Sequence, residues 1–258
     1  MCRWLAYSGP TIHPEDFLFE PENSLIDQSM AAQLGTTPTN GDGFGLGWYG
    51  ARDQPGLFRD VHPAWNDDNL KSVAEQVSSP LFFAHVRAST TGGISRYNCH
   101  PFRYGNWLFM HNGQIGGYDD IRYRIDCLID PEFYNARMGA TDSEAIFLIL
   151  LSNGLQENPK AAFEKTVAQI HAVMVEADIK SPLRFTAVAS NGATIYAIRY
   201  SSDPHAPSLY LGGEGGAALT VLSEPLTSIH EDWREVPPSS FLTTREGAVR
   251  EEGFTPDG

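Results

Sequence analysis

The chain has 258 residues, 41% of them hydrophobic and 11% aromatic, enough to bury one substantial core, and it reads as a single domain over residues 1–258. A formal net charge of −14 makes its surface repel polyphosphate, which argues against nucleic acid or an anionic membrane as partner and leaves a small zwitterion or cation acceptable. Three cysteines, Cys2, Cys99 and Cys127, make no paired framework. No apolar run approaches the ~20 residues of a bilayer span, and no secretory signal opens the chain, so reduced thiols and a cytoplasmic location are expected.

In chain order, Cys2 to Ser8, Gly45 to Tyr49, the buried run Leu81 to Arg87, and Trp107 to Met110 read as strands. Asp67 or Asp68 is placed to cap a short helix with Leu70, Val73, Ala74 and Val77 on one face. Helices follow over Tyr118 to Leu128 and Asp142 to Leu151, the second with Thr141 and Glu144 spaced as a capping box, and over Pro159 to Ala177. Arg184 to Ser190 and Thr194 to Tyr200 flank Asn191-Gly192, the signature of a hairpin with a type I′ turn. Leu209 to Leu211, Ala218 to Ser223 and Phe241 to Thr244 add strands, and Ser201 to Gly216 reads as a long surface loop. Central helices between two strand clusters suggest an α+β sandwich in which two mostly antiparallel sheets pack under outer helices.

Four stretches can carry chemistry. Cys2 stands directly behind Met1; in AHVRASTTGG, Arg87 ends a strand, where a guanidinium can grip a carboxylate bidentately or serve as an ordinary structural cation. In HNGQI, Asn112 and Gly113 are either a hairpin turn or two fixed donors for an oxyanion, since glycine lets the backbone approach a reacting carbon. Asp142 either complements a helix dipole or holds an ammonium. Together they describe a carboxylate clamp, an ammonium acceptor, two oxyanion donors and a thiol, which suit the two ends of glutamine or a γ-glutamyl amide.

These motifs, in this order, resemble the class II glutamine amidotransferases, which are N-terminal-nucleophile hydrolases. Met1-Cys2 is similar to the family's processed start, His85-Val86-Arg87-Ala88-Ser89-Thr90-Thr91-Gly92 to its carboxylate-binding segment, and Asn98-Cys99-His100-Pro101 to its Asn-x-His-Pro. His111-Asn112-Gly113 resembles its oxyanion motif and Gly139 to Glu144 its substrate-amine motif. The resemblance implies a four-layer αββα sandwich. It also implies that Cys2 is the nucleophile, that Arg87 with Thr90 binds the α-carboxylate, that Asn112 and Gly113 form the oxyanion hole, and that Asp142 takes the α-ammonium.

Within NGDGFGLGWYG, Asp42 and Gly45 fall on the family's pattern, but the stretch carries more glycines than usual. Ala88 stands where many members have an aromatic residue, and Thr91 where some have a histidine. If Met1 is removed, the Cys2 α-amine, with an ordinary pKa of about 7.7–8.0, can accept the thiol proton. The implied reaction is attack on the γ-carbonyl, a γ-glutamyl thioester, and hydrolysis by water without a cofactor.

The stand-alone relatives it resembles include the γ-glutamyl hydrolase of ergothioneine biosynthesis and the amidotransferase-like subunit of a fungal glutathione-degrading complex. Release of ammonia to a separate synthase subunit, or a non-catalytic glutamine-binding role, are the alternatives. A dinucleotide loop at GDGFGLG does not fit, because Trp48 and Tyr49 continue a strand pattern instead of opening a helix. His85, Cys99, His100 and His111 include good metal-ligand types but lack compact ligand spacing, so no metal is expected and buried structural histidines are the simpler reading. Trp48, Tyr49, Trp65 and Tyr97 are either core or the wall of a leaving-group pocket.

Overall fold

The computed structural model describes residues 2–34, 38–89, 93–228 and 232–256. The strands begin with β1 (Arg3–Ile12), β2 (Phe44–Tyr49), β3 (Gly56–Asp60) and β4 (Ser79–Val86), β2 and β4 being buried along nearly their whole length. β5 (Phe102–Tyr104), β6 (Trp107–Ile115), β7 (Leu183–Ser190) and β8 (Ile195–Ser201) follow. The chain closes with β9 (Tyr210–Gly212), β10 (Leu219–Leu222), β11 (Trp233–Glu235), β12 (Ser240–Arg245) and β13 (Ala248–Gly253). The helices are α1 (Glu15–Leu18), α2 (Leu25–Ala31), α3 (Asp68–Gln76), α4 (Tyr118–Asp126), α5 (Pro131–Tyr134), α6 (Asp142–Ser152) and α7 (Pro159–Glu176).

One sheet runs β11-β9-β10-β1-β4-β2-β3 and the other β13-β12-β8-β7-β6-β5, with antiparallel pairing throughout the registered neighbours. Three apolar clusters separate four layers. Leu5, Tyr7 and Phe82 on the outer face of the first sheet meet Leu18, Leu25 and Leu70 of α1–α3. Trp4, Ala6 and Phe83 meet Met110, Val188 and Leu242 between the sheets. Phe109, Phe185 and Phe241 on the outer face of the second sheet pack under Phe147 and Phe163 of α6 and α7. The α+β sandwich, with helices outside two antiparallel sheets, is the architecture expected from the sequence. No helix among the described residues is long and apolar enough to cross a membrane.

Local signals set the helix ends. Asp67 caps α3 by accepting from Leu70 N–H at 2.7 Å, and Asn158 caps α7 with Pro159 in its first turn. Only half of the expected capping box forms on α6. Thr141 Oγ1 accepts from Glu144 N–H at 3.2 Å, but the Glu144 carboxylate turns away to Gly139 N–H, Met138 N–H and the Arg137 guanidinium. The hairpin β7–β8 is present with a different turn. Ser190 pairs with Ile195, leaving four loop residues, and Asn191 is absent from the positive-φ residues, while its Oδ1 accepts from Ala193 and Thr194 N–H. The stretch expected as a surface loop after Ser201 is partly built in, because Pro207 O accepts from Thr186 Oγ1 and Arg199 Nε and β9 pairs on both sides.

Candidate active site

Period-two alternation on β1 sends Trp4 and Ala6 between the sheets, and Cys2 precedes them on the same side. Pairing of Arg3 with Val86 brings Cys2 to the end of β4, where its Sγ lies 3.4 Å from both Ala88 N and Ala88 O. The Cys2 carbonyl accepts two bonds, from Asn112 Nδ2 at 3.1 Å and from Arg3 Nη1 at 2.9 Å. Burial pushes the Cys2 thiol up; the Ala88 N–H and the Arg87 and Arg3 guanidinium charges oppose that rise.

Arg87 continues the β4 direction and is buried, its backbone laddered to Gly43 O and Asp42 N. Its Nη1 donates to Asp42 O at 3.3 Å and its Nη2 to Ser89 Oγ at 3.0 Å, while the Asp42 carboxylate accepts from Ser89 N–H at 2.8 Å. Thr90, expected to assist Arg87, lies outside the described residues, as do Met1, Thr91 and Gly92.

Asn112 and Gly113 are not a turn. β6 continues through them to Ile115, pairing Asn112 with Thr186 and Gly113 with Phe185. Asn112 shares the inward face with Leu108 and Met110, which is why it reaches Cys2. Gly113 has φ of 152°, and a Cβ there would sit 1.9 Å from Arg184 O, so this position in the strand requires glycine. Asp142, buried at the first position of α6, accepts from Ile115 N–H at 2.9 Å and Ser143 N–H at 2.8 Å. The end of β6 therefore carries Asn112 and Gly113 and also anchors Asp142. A carboxylate offers about four acceptor positions, so it retains capacity for a further donor.

The extra glycines of the GDGFGLG stretch have a steric cause. A Cβ at Gly43 would meet Cys99 Sγ at 2.6 Å, at Gly45 His100 O at 2.0 Å, and at Gly47 Pro101 Cγ at 2.8 Å. Gly45 and Gly47 alternate along β2, with Gly43 just before it, and clear a groove in which Cys99-His100-Pro101 crosses. That crossing lays the His100 ring on His85, centroids 4.2 Å apart, with both rings buried and all four ring nitrogens lacking a hydrogen-bond partner among the described residues. Burial lowers both, His85 to about 3 and His100 well below its ordinary value, so both are neutral. His111 faces the other way, its Nε2 donating to Arg184 O and its Nδ1 accepting from Ser143 Oγ at 2.8 Å. No group of three or more His, Cys, Asp or Glu able to hold a metal occurs among the described residues.

Tyr49 is core, its hydroxyl between Ser190 O and Asn106 O, and Trp48 packs over Gly56 with the outer cluster. Trp65, over Gly41, and Tyr97 are partly exposed. Sequence reasoning missed Arg3 and Glu224, a buried ion pair at 2.6 Å beside Cys2. The available signal was an arginine inside the apolar alternation Cys2-Arg3-Trp4-Leu5-Ala6.

The family model for class II glutamine amidotransferases matches residues 21–205. The protein named probable glutamine amidotransferase DUG3 of Saccharomyces cerevisiae is 35% identical, the alignment covering 96% of this chain and 83% of the yeast protein. The γ-glutamyl-hercynylcysteine sulfoxide hydrolase of Mycolicibacterium smegmatis is 25% identical over 96% of this chain and 98% of its own. Among solved structures, a glutamine aminotransferase class-II domain protein from Silicibacter pomeroyi has a TM-score of 0.79 and 40% identity, covering 99% of this chain and all of that one. The glutamine phosphoribosylpyrophosphate amidotransferase of Bacillus subtilis shares the fold at 15% identity, with a TM-score of 0.67 over 98% of this chain and 49% of its own. This chain belongs to the class II glutamine amidotransferases.

Proposed function

We propose that the chain, acting as one amidotransferase domain, hydrolyses the γ-amide of glutamine or of a γ-glutamyl compound through a thioester on Cys2. The observation that supports this reading is the contact of Asn112 with Cys2, whose Sγ meets Ala88 next to Arg87, while Asp142 binds the end of the same strand β6 that carries Asn112 and Gly113. Removal of Met1 frees the Cys2 α-amine, which takes the thiol proton as sulfur attacks the γ-carbonyl carbon. The second Nδ2 hydrogen of Asn112 and the Gly113 N–H stabilise the oxyanion. Collapse expels the amine, protonated by the Cys2 α-ammonium, and water then hydrolyses the thioester through a second oxyanion. Arg87 pairs with the substrate α-carboxylate and Asp142 with its α-ammonium.

The mycobacterial relative's name favours a substituted γ-glutamyl amide over glutamine as the leaving-group donor. Similarity along 98% of that hydrolase supports plain hydrolysis as the reaction. The test is intact mass followed by incubation with a glutamine analogue bearing an electrophile at the γ position. Loss of Met1 and a single adduct on Cys2 are expected, together with faster amine release from γ-glutamyl amines or peptides than ammonia release from glutamine. An unprocessed chain that takes no adduct would mean a non-catalytic glutamine-binding subunit. Ammonia release from glutamine alone would favour a subunit feeding a separate synthase.

A further inference from the structure

We propose that Arg3 is a positioning residue for the nucleophile: Glu224 fixes its guanidinium, which holds the Cys2 carbonyl so that thiol and freed α-amine keep one orientation toward the reacting carbon. This inference rests on the reading of Cys2 as nucleophile. Arg3 is fully buried, and its Nε donates to Glu224 Oε2 at 2.6 Å while its Nη1 donates to Cys2 O at 2.9 Å. Glu224 is itself 2% exposed and accepts from Gln33 N–H and Leu34 N–H, each at 2.9 Å. The guanidinium is therefore anchored to the backbone of a second segment and cannot follow the chain end if it moves.

Geometry separates this arrangement from a fold staple. Arg3 follows β1 alternation to the face opposite Trp4, so it reaches the Cys2 carbonyl from one side while Asn112 reaches it from between the sheets. Both lone pairs of that carbonyl are engaged, which fixes the Cys2–Arg3 peptide plane and with it the Cα that carries sulfur and nitrogen. The saturated carbonyl leaves the thiol and the amine to each other. The guanidinium charge also acts on both groups in the useful direction, favouring thiolate over thiol and free amine over ammonium. A staple needs the ion pair alone; a buried pair is commonly replaceable by apolar residues without loss of stability.

The test is therefore the double variant Arg3→Met/Glu224→Met, which leaves no orphan charge, with Glu224→Gln as the second variant. The readouts are kcat and KM for the best γ-glutamyl amide, and the pH profile of Cys2 alkylation by iodoacetamide followed by mass of the Cys2 peptide. The double variant should lower kcat about tenfold, leave KM within about twofold because Arg87 and Asp142 are untouched, and move the alkylation midpoint upward. Glu224→Gln, which keeps the cation and removes its neutralising partner, should move the midpoint downward. A double variant with wild-type kcat and midpoint would reduce Arg3 to a staple and overturn the proposal. Should the double variant not fold, a wild-type kcat in Glu224→Gln would overturn it equally, because the guanidinium would then not need its anchor, and a lower kcat at unchanged KM would sustain it. A wild-type protein that releases no amine from any γ-glutamyl amide would overturn the proposed function instead, while the alkylation profiles would still decide the role of Arg3.

Discussion

Acidification tests the histidine pair laid down by the glycine groove. His85 and His100 are buried with no partner on any ring nitrogen among the described residues, and neighbouring Arg87 and Arg59 further oppose a positive charge there. In the folded chain His85 stays neutral until about pH 3, whereas in the unfolded chain it protonates near 6.5. The unfolded state thus binds more protons throughout that window, so folding stability falls as pH drops below the unfolded value. Each such histidine costs about 1.4 kcal/mol per pH unit once well below that value. From about pH 7.5 to about pH 5 the loss is therefore about 2 kcal/mol for each of the two. His111, also lowered by burial, acts in the same direction. Asp60, depressed to about 2 from 3.8, loses its contribution only below this window. Urea unfolding followed by tryptophan fluorescence at stepped pH measures the slope, with a constant m-value as the control. His100→Phe should remove one proton from it. A stability that stays flat between those two pH values would refute the burial of the pair as neutral imidazoles.

Asn112→Ala should lower kcat by roughly 10²–10³, the usual loss for one oxyanion donor, as read by steady-state amine release. Asp142→Asn keeps an acceptor for Ile115 N–H but removes the charge, so KM for the γ-glutamyl substrate should rise roughly 10–100-fold with a much smaller change in kcat. Gly45→Ala places a methyl 2.0 Å from His100 O, a backbone atom that cannot swing aside, and should cost about 3 kcal/mol or more in denaturant unfolding.

What was legible in the sequence was local or ordered along it. Thr141 announces α6 and Pro159 announces α7 because cap and first turn lie within a few residues of one another. The motifs around Arg87, Asn112 and Asp142 were found by type and order; the fold sets Asn112 and Ala88 against Cys2 and Asp142 at the end of β6. Four of the described strands were not legible. β3, β5 and β11 have three to five residues and take their register from a neighbouring strand, and β13 (AVREEG) is half charged with no apolar alternation. Asn112-Gly113 has the composition of a turn yet sits inside β6, because pairing with Thr186 and Phe185 overrides local preference. Asn191-Gly192 does form a turn, with two more residues than the dipeptide signature implies. Arg3 and Glu224 are 221 positions apart, so no local pattern could pair them.

That separation also bears on why so many buried polar groups are tolerated near Cys2. An unpaired buried charge costs several kcal/mol, and such a cluster survives only if every member is satisfied by rigid partners. Here the partners come from distant segments: Cys2 is held from Ala88 and Asn112, Arg3 from Glu224, Glu224 from Gln33 and Leu34, and Asp142 from Ile115. Only the Asn112–Cys2 bond spans the two sheets, and the others join segments 27 to 221 positions apart in sequence. The polar cluster therefore adds little to the early driving force of folding, which falls to the three apolar layers. What it adds is a single arrangement of the chain start, since any shift of β1 against β4 or β6 would strand the Arg3–Glu224 charges and the Asn112 amide together. Rigid placement of Cys2 is thus a consequence of burying cations and anions at that end of the sandwich, and it is what the role proposed for Cys2 requires.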